Sequence, residues 1–220
     1  FESGSGTNEQ VEELIERMLN DDIYKVIRGH EPEQVDGVYQ LADAYNLVWF
    51  SYQSNNGRPN LNAVLANDID MSVIANFTPI TRHRDNIDWD GDGTADGVGI
   101  GTVYSGTFDG QGHVIRNLTI IVEDGCEAGL FSRCQNATLK NIGFENATVK
   151  NTRTYADETT GVRAGVLAGE AYKCVVQNCY SVGNIVVETI HVQCNGLCGE
   201  AASSSVRNCY TTFEGAAVSS

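Results

Sequence analysis

The chain has 220 residues, with 29 acidic and 14 basic side chains, and its formal net charge is -15. Nucleic-acid grooves and anionic membranes both require clustered Lys and Arg, which this sequence lacks, so neither is an expected partner. Hydrophobic residues make up 41% of the chain, which is enough for a sizeable core. No apolar run approaches the roughly 18 residues that a membrane helix needs.

The N-terminal part predicts a helix outside the main domain. Apolar residues recur at helical spacing from Thr7 to about Arg28, and Thr7 with Gln10 forms a capping-box pattern. Pro32 then ends the helical pattern, because proline cannot continue the hydrogen-bond ladder. We expect residues 1–35 to form a flexible segment and a helix, and residues 36–220 to form the main domain. The opening at Phe1 has no basic or long apolar stretch, so we expect any export signal to have been removed.

A short strand and a second helix follow. Val38–Leu41 is predicted as a strand, and Asp43 is placed to cap a helix that runs to about Gln53. Residues 54–60 form a cluster of turn-forming residues, and residues 63–71 alternate like a strand.

The second half of the chain repeats one pattern, apolar-polar-Asn-apolar. The four copies are Ile115-Arg116-Asn117-Leu118, Leu139-Lys140-Asn141-Ile142, Val176-Gln177-Asn178-Cys179 and Val206-Arg207-Asn208-Cys209. In the last three copies a Leu precedes the Asn by 11 residues, and the last two copies lie 30 residues apart. Self-similarity of this kind is typical of a solenoid, whose units bury their apolar faces by stacking.

Short strands with Gly- or Asn-rich corners and no helices between them favour one solenoid in particular. The predicted strands lie at residues 104–108 and 113–122, and within 136–149, 173–188 and 203–214. The predicted fold class is therefore mainly β, a right-handed parallel β-helix with an N-terminal helical segment. In such a fold we expect the repeated asparagines to stack as a ladder at inside corners, with each amide bonded to the next.

The repeats also resemble a known family. Gly165-Val-Leu-Ala-Gly169 and Asn195-Gly-Leu-Cys-Gly199, each followed by Asn-Cys-Tyr, resemble the GLUG motif repeats of bacterial surface proteins. The segments that resemble the region before those repeats are Asn46–Phe50, Asn62–Met71, Phe77–Ile80 and Tyr104–His113. The resemblance covers about residues 36–220. It implies a parallel β-helix in an exported, often multidomain bacterial protein of adhesin type, secreted or at the cell surface, with no catalytic residues of its own.

Two points qualify the resemblance. GLUG repeats accompany the catalytic domain of some bacterial immunoglobulin A peptidases, but the zinc motif of that chemistry needs a second His where Gln34 stands in His30-Glu-Pro-Glu-Gln34. The first repeat, at Gly129-Leu-Phe-Ser132, lacks the closing glycine, so a side chain has to fit at that corner.

An acidic loop carries the clearest chemical signal. The segment Asp88-Trp-Asp90-Gly-Asp92-Gly-Thr94-Ala-Asp96 lies in an insertion at residues 81–100. Its alternating carboxylates, the glycine at position 6 and the carbonyl of Thr94 match a calcium loop of EF-hand type, although Gly99 stands where the bidentate Glu is usual. We predict a structural calcium site with the ligands Asp88, Asp90, Asp92, Thr94 and Asp96. The alternative is a solvated acidic turn.

Residues at equivalent repeat positions give two further expectations. Cys179 and Cys209 replace Leu and Ile of the other copies, so we expect small buried hydrophobic side chains and not ligands or nucleophiles. Tyr180 and Tyr210 form either an exposed aromatic stripe that stacks on sugars or part of the core at a corner. His113 is expected to be a hydrogen-bonded structural histidine.

Three hypotheses for function remain open. The first is a non-enzymatic surface module that binds an unknown extracellular ligand, a glycan or a protein. The second is a lyase-like polysaccharide-active enzyme, with metal held by the acidic loop and Arg116 as the base. The third is a spacer domain within a longer, multidomain surface protein.

Overall fold

The architecture is mainly β, with one helix in the described part of the chain. The computed structural model describes residues 29–82, 86–87, 97–98, 103–123, 127–152, 162–189 and 193–212. Its first elements are β1 (Glu33–Val35), β2 (Val38–Leu41), α1 (Ala44–Asn55), β3 (Asn62–Leu65), β4 (Ile69–Asp70), β5 (Asn86–Ile87), β6 (Gly97–Val98), β7 (Thr107–Asp109), β8 (Val114–Arg116) and β9 (Thr119–Val122). The next are β10 (Glu127–Ala128), β11 (Phe131–Gln135), β12 (Thr138–Lys140), β13 (Gly143–Glu145), β14 (Thr148–Asn151), β15 (Arg163–Gly165) and β16 (Ala168–Tyr172). The last are β17 (Val175–Gln177), β18 (Tyr180–Val182), β19 (Val186–Thr189), β20 (Gln193–Asn195), β21 (Cys198–Ala202), β22 (Ser205–Arg207) and β23 (Tyr210–Thr211).

Strands that occupy the same position in successive repeats pair in parallel and in register. A seven-stranded sheet has the order β1-β2-β3-β7-β12-β17-β22, and a five-stranded sheet has the order β23-β18-β13-β8-β4. Three further sheets have three strands each, in the orders β10-β15-β20, β11-β16-β21 and β19-β14-β9. The repeat spacing in the sequence therefore identified which strands are neighbours.

The predicted right-handed parallel β-helix is wrong for the part of the chain that the structure describes. The strands form several short sheets, parallel or mixed, in place of a solenoid. The seven-stranded sheet is mixed because β1 pairs antiparallel with β2, and β5 pairs antiparallel with β6 in a sheet of their own. Repeat spacing specifies neighbouring strands, but it does not specify how separate sheets close around a core.

The predicted N-terminal helix before Gly29 lies outside the described residues, so the described helix is the second one predicted. Asp43 caps it as expected: the amide nitrogen of Asn46 donates to Asp43 Oδ1 at 2.8 Å. Leu47 and Phe50 are fully buried, and the Phe50 ring centroid lies 5.8 Å from that of Phe108. No helix among the described residues is long and apolar enough to cross a membrane.

Alternate side chains of each strand point into the core, because successive side chains of a strand face opposite sides of the sheet. Phe108, Leu139 and Val176 follow one another in β7, β12 and β17 and are fully buried. Ile115 and Phe144 do the same in β8 and β13. The opposite faces of these strands therefore point away from the core.

The repeated asparagines form the predicted ladder, but on the outside. Asn208 Nδ2 donates to Asn178 Oδ1 at 3.2 Å, Asn178 Nδ2 donates to Asn141 Oδ1 at 2.8 Å, and Asn141 Nδ2 donates to Asp109 Oδ1 at 2.9 Å. The three asparagines have φ between 52° and 56°, a left-handed conformation that Asn tolerates well. Asn178 and Asn208 are exposed, so the expectation of inside corners is wrong. Asn117 belongs to a different corner, where its amide donates to Asp70.

The glycines of the GLUG-like motif allow two layers of backbone to approach closely. An added Cβ on Gly169 would lie 2.5 Å from Glu127 Cβ and 2.9 Å from the Ala128 nitrogen. One on Gly165 would lie 2.5 Å from the Gly199 nitrogen. At the first repeat, the buried Ser132 takes the place of the glycine and donates its hydroxyl to the carbonyl of Glu127 at 3.1 Å. This confirms that a side chain fits at that corner.

An ionic network lies beside these glycines. Arg163 Nη1 lies 3.5 Å from Glu127 Oε1 and 3.7 Å from Glu170 Oε2, and its Nε pairs with Glu200. Arg133 Nε lies 3.1 Å from Glu170 Oε2 and 3.9 Å from Glu127 Oε1. Glu127 is only 4% exposed. A carboxylate this deeply buried requires cationic partners to offset its lost hydration.

Candidate ligand-binding face

The five-stranded sheet presents two rows of side chains on the side opposite its buried residues. Strand register places Val114, Gly143, Tyr180 and Tyr210 in one row, and Asp70, Arg116, Glu145 and Val182 in the other. Aromatic and charged side chains therefore occupy adjacent columns on one surface. Such a combination allows a ligand to stack on an aromatic ring while a few placed polar groups bond its edge.

The two tyrosines form the aromatic part of this surface. Their ring centroids lie 5.3 Å apart and their planes differ by 7°, so the rings are stacked. Tyr210 is 57% exposed and Tyr180 is half-buried. The tip of the Tyr180 side chain lies over Gly143, where an added Cβ would be 2.4 Å from Tyr180 Cζ. The core interpretation of these tyrosines is therefore wrong, and they form an outward-facing pair.

One arginine organises the polar part. Arg116 Nη1 donates to Asp68 Oδ2 at 2.9 Å, and Arg116 Nε donates to Glu145 Oε2 at 2.7 Å. The three side chains remain between 35% and 44% exposed. Charge-assisted hydrogen bonds in two directions fix the guanidinium plane while leaving all three groups accessible to a ligand.

Asp68 is held from a second side. Its Oδ1 accepts from the amide nitrogen of Val114 at 3.0 Å and lies 3.1 Å from His113 Nδ1. His113 is therefore hydrogen-bonded, as expected from the sequence. The hydrogen bond from Arg116, followed by that from Val114, lowers the pKa of Asp68, so this carboxylate stays ionised.

The same contacts disfavour Arg116 as a base. Hydrogen bonds to Asp68 and Glu145 raise the pKa of the Arg116 guanidinium above its already high value. A base must lose its proton before it can accept one, and this pairing stabilises the protonated form. Arg116 is therefore suited to hold or orient a ligand and unsuited to take a proton from it.

Sequence reasoning missed Asp68 and Glu145 as members of this face. They lie 77 positions apart in the chain, and the parallel register of β4, β8 and β13 brings them to the same arginine. One signal was available. Arg116 and Glu145 each directly precede a left-handed asparagine, Asn117 or Asn146, so both occupy the same position before a corner.

The predicted calcium ligands Asp88, Asp90, Asp92, Thr94 and Asp96 lie outside the described residues. The described strands on either side of them, Asn86–Ile87 and Gly97–Val98, pair antiparallel. In the part of the chain that the structure describes, no group of three or more His, Cys, Asp or Glu side chains could hold a metal. The calcium site stays a prediction.

Five cysteines in the described part of the chain are free thiols with a packing role. Cys134, Cys174 and Cys179 are buried, and Cys198 and Cys209 are partly buried. The amide nitrogen of Cys179 lies 3.5 Å from Cys209 Sγ, as equivalent repeat positions require. Burial raises the pKa of the Cys179 thiol to about 12. The burial of Cys179 confirms the expected packing role, and the raised pKa disfavours the thiolate that a nucleophile requires.

The raised pKa of Cys179 predicts slow alkylation and a loss of stability at high pH. With a pKa of about 12, only about one thiol in 10,000 is a thiolate at pH 8, so we expect negligible labelling by iodoacetamide unless the chain is unfolded. The unfolded thiol ionises near 9.0, so the folded state keeps a proton that the unfolded state loses. The free energy of unfolding should therefore be unaffected by this group below about pH 9 and should fall as the pH rises toward 12.

Mass spectrometry of labelled peptides, with and without urea, measures the reactivity. Urea unfolding at pH 8 and pH 10 measures the stability, with Cys179→Val as the control, because Val is apolar and does not titrate. Rapid labelling of Cys179 in the folded protein would contradict the expectation.

Comparisons with known proteins do not assign a family. No family model matches the chain, and no curated protein matches it. Among solved structures, it is similar to the Bacteroides ovatus protein named "putative immunoglobulin A1 protease". The two are 16% identical with a TM-score of 0.47, over 84% of this chain and 79% of that one.

Proposed function

We propose that this chain is a non-enzymatic carbohydrate-binding module of an exported bacterial surface protein, with an adhesin-like role. The observation that carries the proposal is the stacked, solvent-facing pair Tyr180–Tyr210. Beside it lies Arg116, which is held by Asp68 and Glu145. We call these five residues the tyrosine face.

The chemistry of the tyrosine face suits a sugar. The apolar C–H side of a pyranose ring packs against an aromatic ring, while its hydroxyl groups need hydrogen-bond partners around the edge. Tyr210 offers the exposed ring, and the carboxylates and guanidinium beside it offer acceptors and donors. Because Gly143 and the ion pairs hold these groups in place, little side-chain entropy is lost when a ligand binds.

The surface location and the non-enzymatic role rest on the sequence. The resemblance of residues 36–220 to GLUG repeats supports an exported module within a longer multidomain protein. The paired Arg116 disfavours the lyase alternative, because that alternative needs it as a base. The spacer alternative predicts that the tyrosine face binds nothing, which makes it an outcome of the same experiment.

Tyr210→Ala is expected to weaken glycan binding about tenfold, which corresponds to about 1.4 kcal/mol, as for an aromatic residue at the centre of an interface. A glycan array identifies the ligand, and titration calorimetry then compares the wild type with Tyr210→Ala and Tyr180→Ala. Tyr172→Ala is the control, because Tyr172 is also partly exposed but lies in β16, in a different sheet. Thermal unfolding of each variant separates lost binding from lost structure.

Two results would contradict the proposal. Equal losses in Tyr210→Ala and Tyr172→Ala would place the glycan elsewhere. The absence of any glycan ligand for the wild type would favour the spacer role.

A further inference from the structure

We propose that the tyrosine face selects sugars with a protonated amino group over uronic sugars. This inference rests on the carbohydrate-binding function proposed above, and it names the class of ligand. Its basis is the balance of charge around Arg116.

Three carboxylates surround the single guanidinium. Asp68 and Glu145 bond it directly, and Asp70 is its neighbour across the β4–β8 pairing. The amide of Asn117 donates to Asp70 and, as the largest cause, lowers the pKa of that carboxyl, so Asp70 is ionised as well. The three carboxylates outnumber the cations even when His113, beside Asp68, is protonated. The polar part of the face is therefore net negative, and a ligand carboxylate would be repelled from it.

The guanidinium is also committed to its own partners. Its Nη1 and Nε groups donate to Asp68 and Glu145, so two of its hydrogen-bonding directions are already used. An acidic sugar that used the remaining N–H groups would place its own carboxylate beside those of Asp68 and Glu145, which would repel it. The carboxylates still have lone pairs toward solvent, since Glu145 is 35% and Asp68 44% exposed. The face can thus accept hydrogen bonds from an ammonium group more readily than it can donate to an anion.

The aromatic part favours the same class of ligand. A cation over the face of a tyrosine ring is attracted by the ring quadrupole, and Tyr210 offers such a face. Burial raises the pKa of the Tyr180 hydroxyl, and the nearby carboxylate of Glu145 raises it further. Asp68 acts in the same direction, and Arg116 opposes them. An ammonium group on the sugar would therefore be attracted by both parts of the face.

The experiment compares oligosaccharides that differ in charge. Titration calorimetry at low salt and about pH 6 measures binding of a glucosamine hexamer, its fully N-acetylated counterpart and an oligogalacturonate hexamer. We expect the glucosamine hexamer to bind about three- to fivefold more tightly than the N-acetylated one, as one partly exposed charge contact allows. The preference should shrink in high salt, and the oligogalacturonate should bind most weakly.

Matched variants separate this face from the overall acidity of the chain. Glu145→Gln keeps the shape of the side chain but removes its charge, and we expect it to reduce the preference for the amino sugar. Glu33→Gln makes the same change at an exposed position on β1, in a different sheet, and should leave the preference unchanged.

The outcomes distinguish this inference from the function on which it rests. If neither these hexamers nor any glycan on the array binds, the carbohydrate-binding function fails; if only glycans other than these bind, the selectivity is overturned and the function stands. If the hexamers bind equally or the oligogalacturonate binds best, and Tyr210→Ala still weakens binding, the function stands and the selectivity is overturned. If Glu145→Gln and Glu33→Gln reduce the preference equally, the preference for the amino sugar arises from the net charge of -15 of the whole chain. That result would also overturn the inference.

Discussion

Gly169→Ala is expected to lower the free energy of unfolding by about 3 kcal/mol, the upper part of the usual range for overpacking a tightly packed site. The new methyl group would lie 2.5 Å from Glu127 Cβ and 2.9 Å from both the Ala128 nitrogen and the Ser132 carbonyl oxygen. Two of these three atoms belong to the backbone, so the conflict cannot be relieved by rotating a side chain. Strands β10, β11 and β16 would have to separate locally.

Thermal unfolding followed by circular dichroism measures this effect. A loss of 3 kcal/mol corresponds to a fall in the midpoint of about 6–12 °C for a domain of this size. Gly29→Ala is the matched control, because an added Cβ at Gly29 has no heavy atom within 4 Å. A midpoint for Gly169→Ala within 1 °C of the wild type would show that the layers separate easily, which would contradict their tight packing at Gly169.

Arg163→Gln should destabilise the protein by a similar amount, about 3 kcal/mol, as expected when one partner of a buried ion pair is removed. The guanidinium of Arg163 contacts three carboxylates, those of Glu127, Glu170 and Glu200. Glu127 is 4% exposed and cannot recover its hydration without opening the structure. Arg163→Lys should recover only part of the loss, because one ammonium group cannot reproduce the planar fork of guanidinium donors.

Urea unfolding at pH 7 measures the loss, and two further variants interpret it. Arg207→Gln removes an arginine from β22, where the side chain is exposed, and should change the free energy of unfolding by less than about 0.5 kcal/mol. Adding Glu127→Gln to Arg163→Gln should restore stability, because the buried charge disappears along with its partner. If the double variant is less stable than Arg163→Gln alone, buried charge is not the cause of the loss.

Sequence patterns predicted the local elements well, because those elements depend on neighbouring residues. Asp43 caps α1 as its position before an apolar run predicted, and Val38–Leu41 is a strand. The asparagine repeat identified a hydrogen-bonded ladder, because Asn both tolerates the left-handed corner and carries a donor and an acceptor on one side chain. Placing the ladder inside was the error, since polar corners without buried partners face water.

The candidate site was less predictable. The repeat showed that Tyr180 and Tyr210 are equivalent, but not whether they face the core or solvent. That depends on register, because a shift of one residue would exchange the two faces of the sheet. Asp68 and Glu145 carried no motif of their own. Their role arises from pairing between strands that are distant in the chain, which a pattern within one segment cannot encode.

By itself, the sequence determined the capped start of α1, the pairing of equivalent strands in successive repeats and the packing role of Cys179. Each of these features follows from a short, repeated or periodic sequence pattern. Such features depend only on contacts between residues that are close in the chain or paired on neighbouring strands. The tertiary structure alone decided that the strands form short parallel and mixed sheets, and that two tyrosines meet an arginine with its carboxylates on one outer surface. The physical reason is that sheet closure and the meeting of distant side chains depend on the packing of the whole core.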